Sequence, residues 1–381
     1  MKCTGINAFN REPVEVRFGE VINGLDTLID PLSGGPFIAP GIIDLQVNGF
    51  AGVDYNSRQT SHEEIGRSLR AQFATGVTRL YPTIITNSEP EIVGCLRNLA
   101  AAKEALPEGA AMEGFHVEGP FISPEDGPRG AHPQRWCRKP DVEEYRRWQE
   151  ASGGQVKLVT ISPEWPESPA FTGACVRDGV VVSIGHTKAT WGQIADCVDA
   201  GATMSTHIGN GAHAVMARHP NYIWDQLAED RLTASMIVDG FHIGAAFLKV
   251  ALRAKSVERA VLITDAVMPA GCEPGPYMLG EVEVELLAEG RVVLRGGTRL
   301  AGAALKMNDA VANVMRLGGL NLREAVTMAT INAARAGHIG SRQRGLSVGD
   351  RADFVRFTIE NDRILVTDTW LNGKLVFQAG A

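Results

Sequence analysis

Residues able to do hydrolytic chemistry recur at the ends of short apolar runs: Glu118 in "HVEG", His186 in "IGHT", His207 in "STHI" and Asp265 in "ITDA", with His242 just past another run in "DGFH". One glutamate and two histidines are a ligand set of hydrolytic metal sites, in which a fourth position is left for water. A metal held this way acidifies water to a pKa of about 7 and polarises the carbonyl under attack. Asp265 is then the candidate to take the water's proton and pass it to the leaving group. A lone histidine at a strand end is more often a hydrogen-bonded core or rim residue, so the metal reading rests on several such ends meeting at one place. His62 and His338 flank helical patterns and are expected at the surface. His213 and His219 fit either the surface or a substrate contact.

The elements that must bring these residues together are legible from periodicity. Eight β-branched runs alternate with helical patterns: "IIDLQVNG", "RLYPTII" (79–85), "MEGFHVEG" (112–119), "VKLVTIS" (156–162), "VVVSIGH" (180–186), "ATMSTHIG" (202–209), "TASMIVDG" (233–240) and "AVLITDA" (260–266). Between them lie helices such as "SHEEIGRSLRAQFATG", with Ser61 as N-cap and Glu64 three residues on, and "TKATWGQIADCVDAG", ending in Gly201. This rhythm predicts an α/β fold, a (β/α)8 TIM-like barrel, whose reacting groups sit at the C-terminal strand ends. A doubly wound open sheet is the competing reading, but no glycine-rich dinucleotide fingerprint follows an early strand.

The ends break the rhythm. Residues 1–39 carry short strand-like pieces, and 344–381 alternate apolar and polar residues, as half-exposed antiparallel strands do. Both termini are therefore expected to build one small β-sandwich domain beside a barrel of residues 40–343. A hairpin is predicted at 281–297, followed by two helices in "LKMNDAVANVMRLGG" and "NLREAVTMATINAARAG". The first barrel run ends on an unusual pair, Gln46 and Asn48, two residues apart and so on one face.

Composition narrows the partners. The chain has 381 residues, 44% of them hydrophobic, and a formal net charge of -7 with scattered basic residues. That argues for a globular protein with a small-molecule partner and against nucleic acid. There is no apolar leader segment and no membrane-length apolar run, so a cytoplasmic protein without a membrane partner is expected. The six cysteines are widely spaced with no C-x-x-C pattern, which fits reduced thiols rather than disulfides or a thiolate zinc site.

The segments "PGIIDLQVNG", "HVEGPF", "RGAHP", "GHT", "STHIGNGAH", "MIVDGFHI" and "LITDA", in this order, resemble the N-acetylglucosamine-6-phosphate deacetylases of the amidohydrolase superfamily. The resemblance spans nearly the whole chain. It implies hydrolysis of the acetamide of N-acetylglucosamine 6-phosphate, with one divalent metal, zinc, iron or another ion, on Glu118, His186 and His207, and Asp265 as general acid/base. It also implies substrate or acyl contacts from Ala131, His132, Asp239 and His242, with His132 or His242 stabilising the oxyanion. Asn210 and Gly211 would lie near the phosphate, and Leu300, Ala301 and Gly302 in a loop that closes on the sugar. Arg218 would reach the active site of a neighbouring subunit in a homodimer.

Many members of the superfamily hold a second metal on a His-x-His pair where this chain has Gln46 and Asn48. Amides are weak ligands beside imidazole, so a single metal is expected, with the two amides hydrogen-bonding inside the pocket. Two features depart from the family pattern: Gly209 and Gly211 in "THIGNGAH", where an aromatic and then Asn-Ala-Met are usual, and Ala303 and Ala304 after the Leu-x-Gly loop. A related N-acyl amino sugar, such as the galactosamine epimer or an unphosphorylated sugar, and a silent sugar-phosphate-binding barrel are the alternatives.

Overall fold

The computed structural model describes residues 1–29, 35–279, 282–340 and 345–380. Each of the eight predicted runs coincides with a strand of one parallel sheet, the second starting two residues earlier than expected: Ile42–Val47, Val77–Ile85, Phe115–Glu118, Val156–Ile161, Val181–Ile184, Met204–Ser205, Thr233–Ile237 and Ala260–Ile263, neighbours in this order. The sheet closes where Val47 bridges Ala266 in parallel and Asn48 donates its backbone N–H to Ala266 O at 2.7 Å. Eight parallel strands with intervening helices make the barrel. The first strand is buried at every position, as a strand covered on both faces must be.

The surrounding helices start where the sequence signals them. Ser61 and Glu64 form a reciprocal capping box on helix His62–Phe73, and Thr190 and Gln193 do the same on Trp191–Asp199. The segment expected as one helix over 321–337 is instead two, Leu322–Ala329 and Ile331–Ala336, broken at Thr330 with φ -133° and ψ -81°. The break turns the second piece under the last barrel strand, where the Asn332 side chain donates to Ala260 O at 3.0 Å. Tertiary contact here outweighs helical propensity.

The predicted hairpin, whose first residue lies outside the described residues, is part of a larger insertion. Gly275–Leu279, Val282–Leu286, Arg291–Leu294 and Leu300–Ala303 form a four-stranded antiparallel sheet. Its last strand returns to the barrel mouth, where Ala303 donates to Asp265 O at 3.2 Å.

Both termini contribute to one seven-stranded sheet, in the order Lys374–Gln378, Arg363–Leu371, Phe354–Glu360, Phe37–Pro40, Lys2–Asn7, Pro13–Phe18 and Ile22–Thr27. Phe18 and Phe354 stand on strands three places apart, roughly 14 Å in a flat sheet, yet their ring centroids are 4.8 Å apart. The sheet therefore folds over on itself, as a sandwich does, around Val16, Phe18, Ile22, Ile38, Phe354 and Trp370. The expected boundary at 343/344 lies outside the described residues. Among the described residues no helix is long and apolar enough to cross a membrane.

Candidate active site

Four strand ends meet at the C-terminal mouth. Glu118 Oε1 lies 2.9 Å from His207 Nε2 and 3.2 Å from His186 Nε2, and the two histidine nitrogens are 3.1 Å apart. All three residues are buried. Ligand atoms on a tetrahedral ion with bonds near 2.0–2.1 Å stand roughly 3.3 Å apart, so this spacing fits a metal. The His186 tautomer fits as well. His186 Nδ1–H donates to Pro128 O at 2.8 Å, which leaves the Nε2 lone pair facing the other two donors. Among the described residues these three form the cluster able to hold an ion.

The backbone at these ends is strained into place. His186, His207 and Asp265 have φ of +48°, +29° and +49°, a left-handed region that costs non-glycine residues of order 1–3 kcal/mol. Each turn swings a side chain from the strand into the mouth. Gly211, at φ +57°, runs so close that a Cβ there would stand 2.7 Å from His186 Nδ1.

Charge within the cluster is shared. Burial alone would raise the Glu118 carboxyl, but hydrogen bonds and charge from His186 and His207 hold it well below the usual carboxylate range. Burial and the Glu118 charge push Asp265 up to about 6, against the opposing pull of His207, His242 and Asn48.

Gln46 and Asn48 are buried rather than solvent-facing. The Gln46 amide donates to Glu118 Oε1 at 2.9 Å and to Asp265 Oδ1 at 3.1 Å, and the Asn48 amide donates to Asp265 Oδ1 at 2.7 Å. Both amides thus engage the same Asp265 oxygen.

The other expected contacts divide. His132 is buried over the cluster, its Nε2 3.3 Å from His186 Nε2, and burial, joined by the His186 charge, pushes its pKa down to about 3, which keeps the ring neutral. His242 Nδ1 donates to Asp239 Oδ2 at 2.6 Å, while Asp239 Oδ1 accepts the N–H groups of Phe241 and His242. Asn210 N–H donates to His207 O at 2.9 Å. Leu300, Ala301 and Gly302, expected in a loop, lie instead on the last inserted strand, held by pairing with Arg291–Leu294, and Arg299 beside them donates to Gly130 O at 2.9 Å, next to Ala131. Arg218 and Ala131 are exposed, with Arg218 outside the buried cluster. His338 is exposed, as expected, while His62, at the first position of a helix, is half-buried.

Sequence reasoning missed the support beneath Asp265. Asp44 Oδ2 accepts the Thr264 hydroxyl at 2.5 Å, and Asp44 Oδ1 accepts the backbone N–H groups of Thr264 and Gln46 at 3.2 Å each. The signal was available, since Asp44 shares a strand face with Gln46. It also missed His116, two residues before Glu118 and buried, which bonds Thr160 Oγ1 at 2.7 Å.

The pattern of the amidohydrolase family matches residues 37–376. The chain is 32% identical over 343 residues to an N-acetylglucosamine-6-phosphate deacetylase of Bacillus subtilis, covering 89% of this chain and 84% of that one. To the human N-acetylglucosamine-6-phosphate deacetylase it is 34% identical over 361 residues, 91% and 85% of the two chains. Its fold is similar to that of an aspartate-to-alanine mutant of the Mycobacterium smegmatis enzyme of that name in complex with N-acetyl-D-glucosamine-6-phosphate. The TM-score is 0.88 at 29% identity, with 98% of each chain covered.

Proposed function

The chain belongs to the amidohydrolase family and, within it, to the N-acetylglucosamine-6-phosphate deacetylases, and on that premise we propose that it hydrolyses the acetamide of N-acetyl-D-glucosamine 6-phosphate to D-glucosamine 6-phosphate and acetate. The observation that carries this reading is the convergence of Glu118, His186 and His207 with Asp265 beside them. A divalent metal on the three ligands, zinc in our reading, supplies Lewis acidity that acidifies water and polarises the acyl carbonyl.

The chain's own residues do the rest. Asp265 takes a proton from the attacking water as its oxygen bonds to the acetyl carbon. Because both amide donors occupy Asp265 Oδ1, Oδ2 is the oxygen that exchanges the proton. Asp265 then returns that proton to the nitrogen as the C–N bond breaks, giving a neutral amine and acetic acid, which releases the second water proton to solvent and leaves as acetate. His132 is neutral and faces the cluster, so its ring N–H is placed to stabilise the developing oxyanion. Asp239 fixes the His242 ring with Nδ1–H inward to its carboxylate, leaving Nε2 for the sugar or its acyl group. Gln46 and Asn48 spend their amide protons on Glu118 and Asp265, which supports a single-metal site.

Asn210 and Gly211 beside His207 and His186, Ala131 beside His132, and Leu300, Ala301 and Gly302 on the last inserted strand complete the substrate contacts in this reading. Arg218, exposed on the segment after the sixth strand, serves the phosphate in a neighbouring subunit of a homodimer. The chain divides into a β-domain of residues 1–39 plus 344–381 and a barrel of 40–343. A cytoplasmic setting belongs to the same reading and is supported by the unpaired state of all six cysteines.

Acetate release by metal-loaded protein from N-acetylglucosamine 6-phosphate, the galactosamine 6-phosphate epimer and unphosphorylated N-acetylglucosamine tests the assignment. Preference for the first supports it. Equal or better release from another sugar moves the substrate, and none from any of the three refutes the deacetylase reading.

A further inference from the structure

The loops 123–132 and 208–221, after the third and sixth strands, carry His132 and Ala131 on one side and Asn210 and Gly211 on the other. The second loop runs close to its neighbours at two glycines, where a Cβ at Gly209 would stand 2.8 Å from the Phe247 ring and one at Gly211 2.7 Å from His186 Nδ1. Gly209 and Gly211 both have positive φ, and with Asn210, Gly185, Tyr222 and Gln226 they line a small, partly open pocket. Interiors are normally fixed by close-packed side chains. Glycines have no side chain to interlock, and hydrogen bonds link this loop to its neighbour.

His213 supplies them. The Tyr222 hydroxyl accepts the His213 backbone N–H at 2.8 Å and lies 2.9 Å from His213 Nδ1. Its own proton is therefore directed to Nδ1, which places the ring proton on Nε2, and Nε2–H donates to Glu125 Oε1 at 2.8 Å. The other Glu125 oxygen pairs with the Lys188 ammonium. Gly127 lies against the His213 backbone, where a Cβ would come within 3.1 Å of His213 Cα. One chain of contacts, Lys188 to Glu125 to His213 to Tyr222, joins the segments that follow strands three, five and six.

We propose that His213 is a positioning residue for the sugar phosphate: it fastens the Asn210–Gly211 loop to the loop bearing Ala131 and His132. The proposal rests on the deacetylase reading for its substrate and on the loop geometry for its mechanism. His213 acts on binding, so the loss from its removal falls on KM rather than kcat. Glu125 and His213 are partly exposed, and single bonds of this kind are weak, so the effect is a few-fold.

The test uses the full-length, metal-loaded protein and the variants H213F, E125A and the double variant. The expected result is a KM for N-acetylglucosamine 6-phosphate raised roughly three- to tenfold in each single variant, and no further rise in the double, because both remove one shared contact. Amide hydrogen exchange is read in parallel and needs no turnover. Faster exchange at 208–213 and at 125–130 in both single variants is expected. If wild-type protein releases no acetate from this sugar the substrate reading fails, and the exchange data still decide the clasp. Unchanged exchange in both loops, a loss in kcat with KM unmoved, or additive effects in the double variant would overturn the proposal.

Discussion

Asn48 and Asp265, 217 positions apart in the chain, meet across the closure of the barrel: the Asn48 amide donates to Asp265 Oδ1 at 2.7 Å. The contact favours the ionised carboxylate, opposing the burial and the Glu118 charge that push Asp265 up to about 6. Asn48→Leu removes that donor, so the Asp265 pKa rises and its basic form is lost at a higher pH. A hydrogen bond to a charged group is worth roughly 1.5 kcal/mol, or about one pH unit. The acid limb of the kcat/KM profile is expected to move upward by about that much, and an unmoved limb would deny Asp265 the role of base.

The same pair explains what was legible in the sequence. Glu118, His186, His207 and Asp265 were found because strand periodicity marks strand ends and a barrel gathers those ends at one mouth. Loops carry no such period. His132 comes from the long connection after the third strand, and without the family resemblance nothing in its spacing places it 3.3 Å from His186. The Glu125–His213 contact joins residues 88 apart on two irregular segments, which no local pattern encodes. The flanking strands of the inserted sheet escaped for a related reason, since "GPYML" opens on a glycine and a proline and "LAGA" is short and lacks β-branched residues. The helix break at Thr330 is a tertiary effect, set by where Asn332 must dock.

If amides at 46 and 48 are what limits the site to one metal, imidazoles there should lift the limit. The Gln46→His/Asn48→His double variant is expected to bind two equivalents of zinc where wild type binds one, measured by elemental analysis after removal of loose metal. One equivalent in the variant would mean that the surrounding shell, and not the ligand type, sets the stoichiometry.

Arg218→Ala is expected to raise KM for the phosphorylated sugar at least tenfold, an ion pair to phosphate being among the stronger polar contacts. Mixing it with an Asp265→Asn variant checks the neighbour's part. In a mixed dimer one site keeps its own Asp265 and receives Arg218 from across the interface, so co-refolded or co-expressed protein, assayed at substrate well below KM, should recover about a quarter of wild-type activity. No recovery would place Arg218 in its own subunit's site or outside the site.

Asp44, buried under Thr264, is pushed up to about 7 by burial, against hydrogen bonds from Thr264 and Gln46. A carboxyl whose folded pKa exceeds its unfolded value keeps its proton in the folded chain while the unfolded chain has lost it. Its contribution to stability is therefore complete below about pH 4 and is lost as pH rises through about 7, with an upper bound of roughly 4 kcal/mol. Asp44→Asn removes this dependence, so its Tm should fall less than that of wild type between pH 5 and 8. Parallel Tm curves would show that Asp44 ionises in the folded state as readily as in the unfolded chain.

The central claim is that Glu118, His186 and His207 hold the metal while Asp265 moves the proton. Asp265→Asn separates the two roles in one protein, with turnover of N-acetylglucosamine 6-phosphate measured on the sample whose metal content is determined. The account predicts kcat lower by about three orders of magnitude or more with one equivalent of metal retained. A variant that keeps wild-type turnover, or one that loses its metal together with its activity, would contradict it.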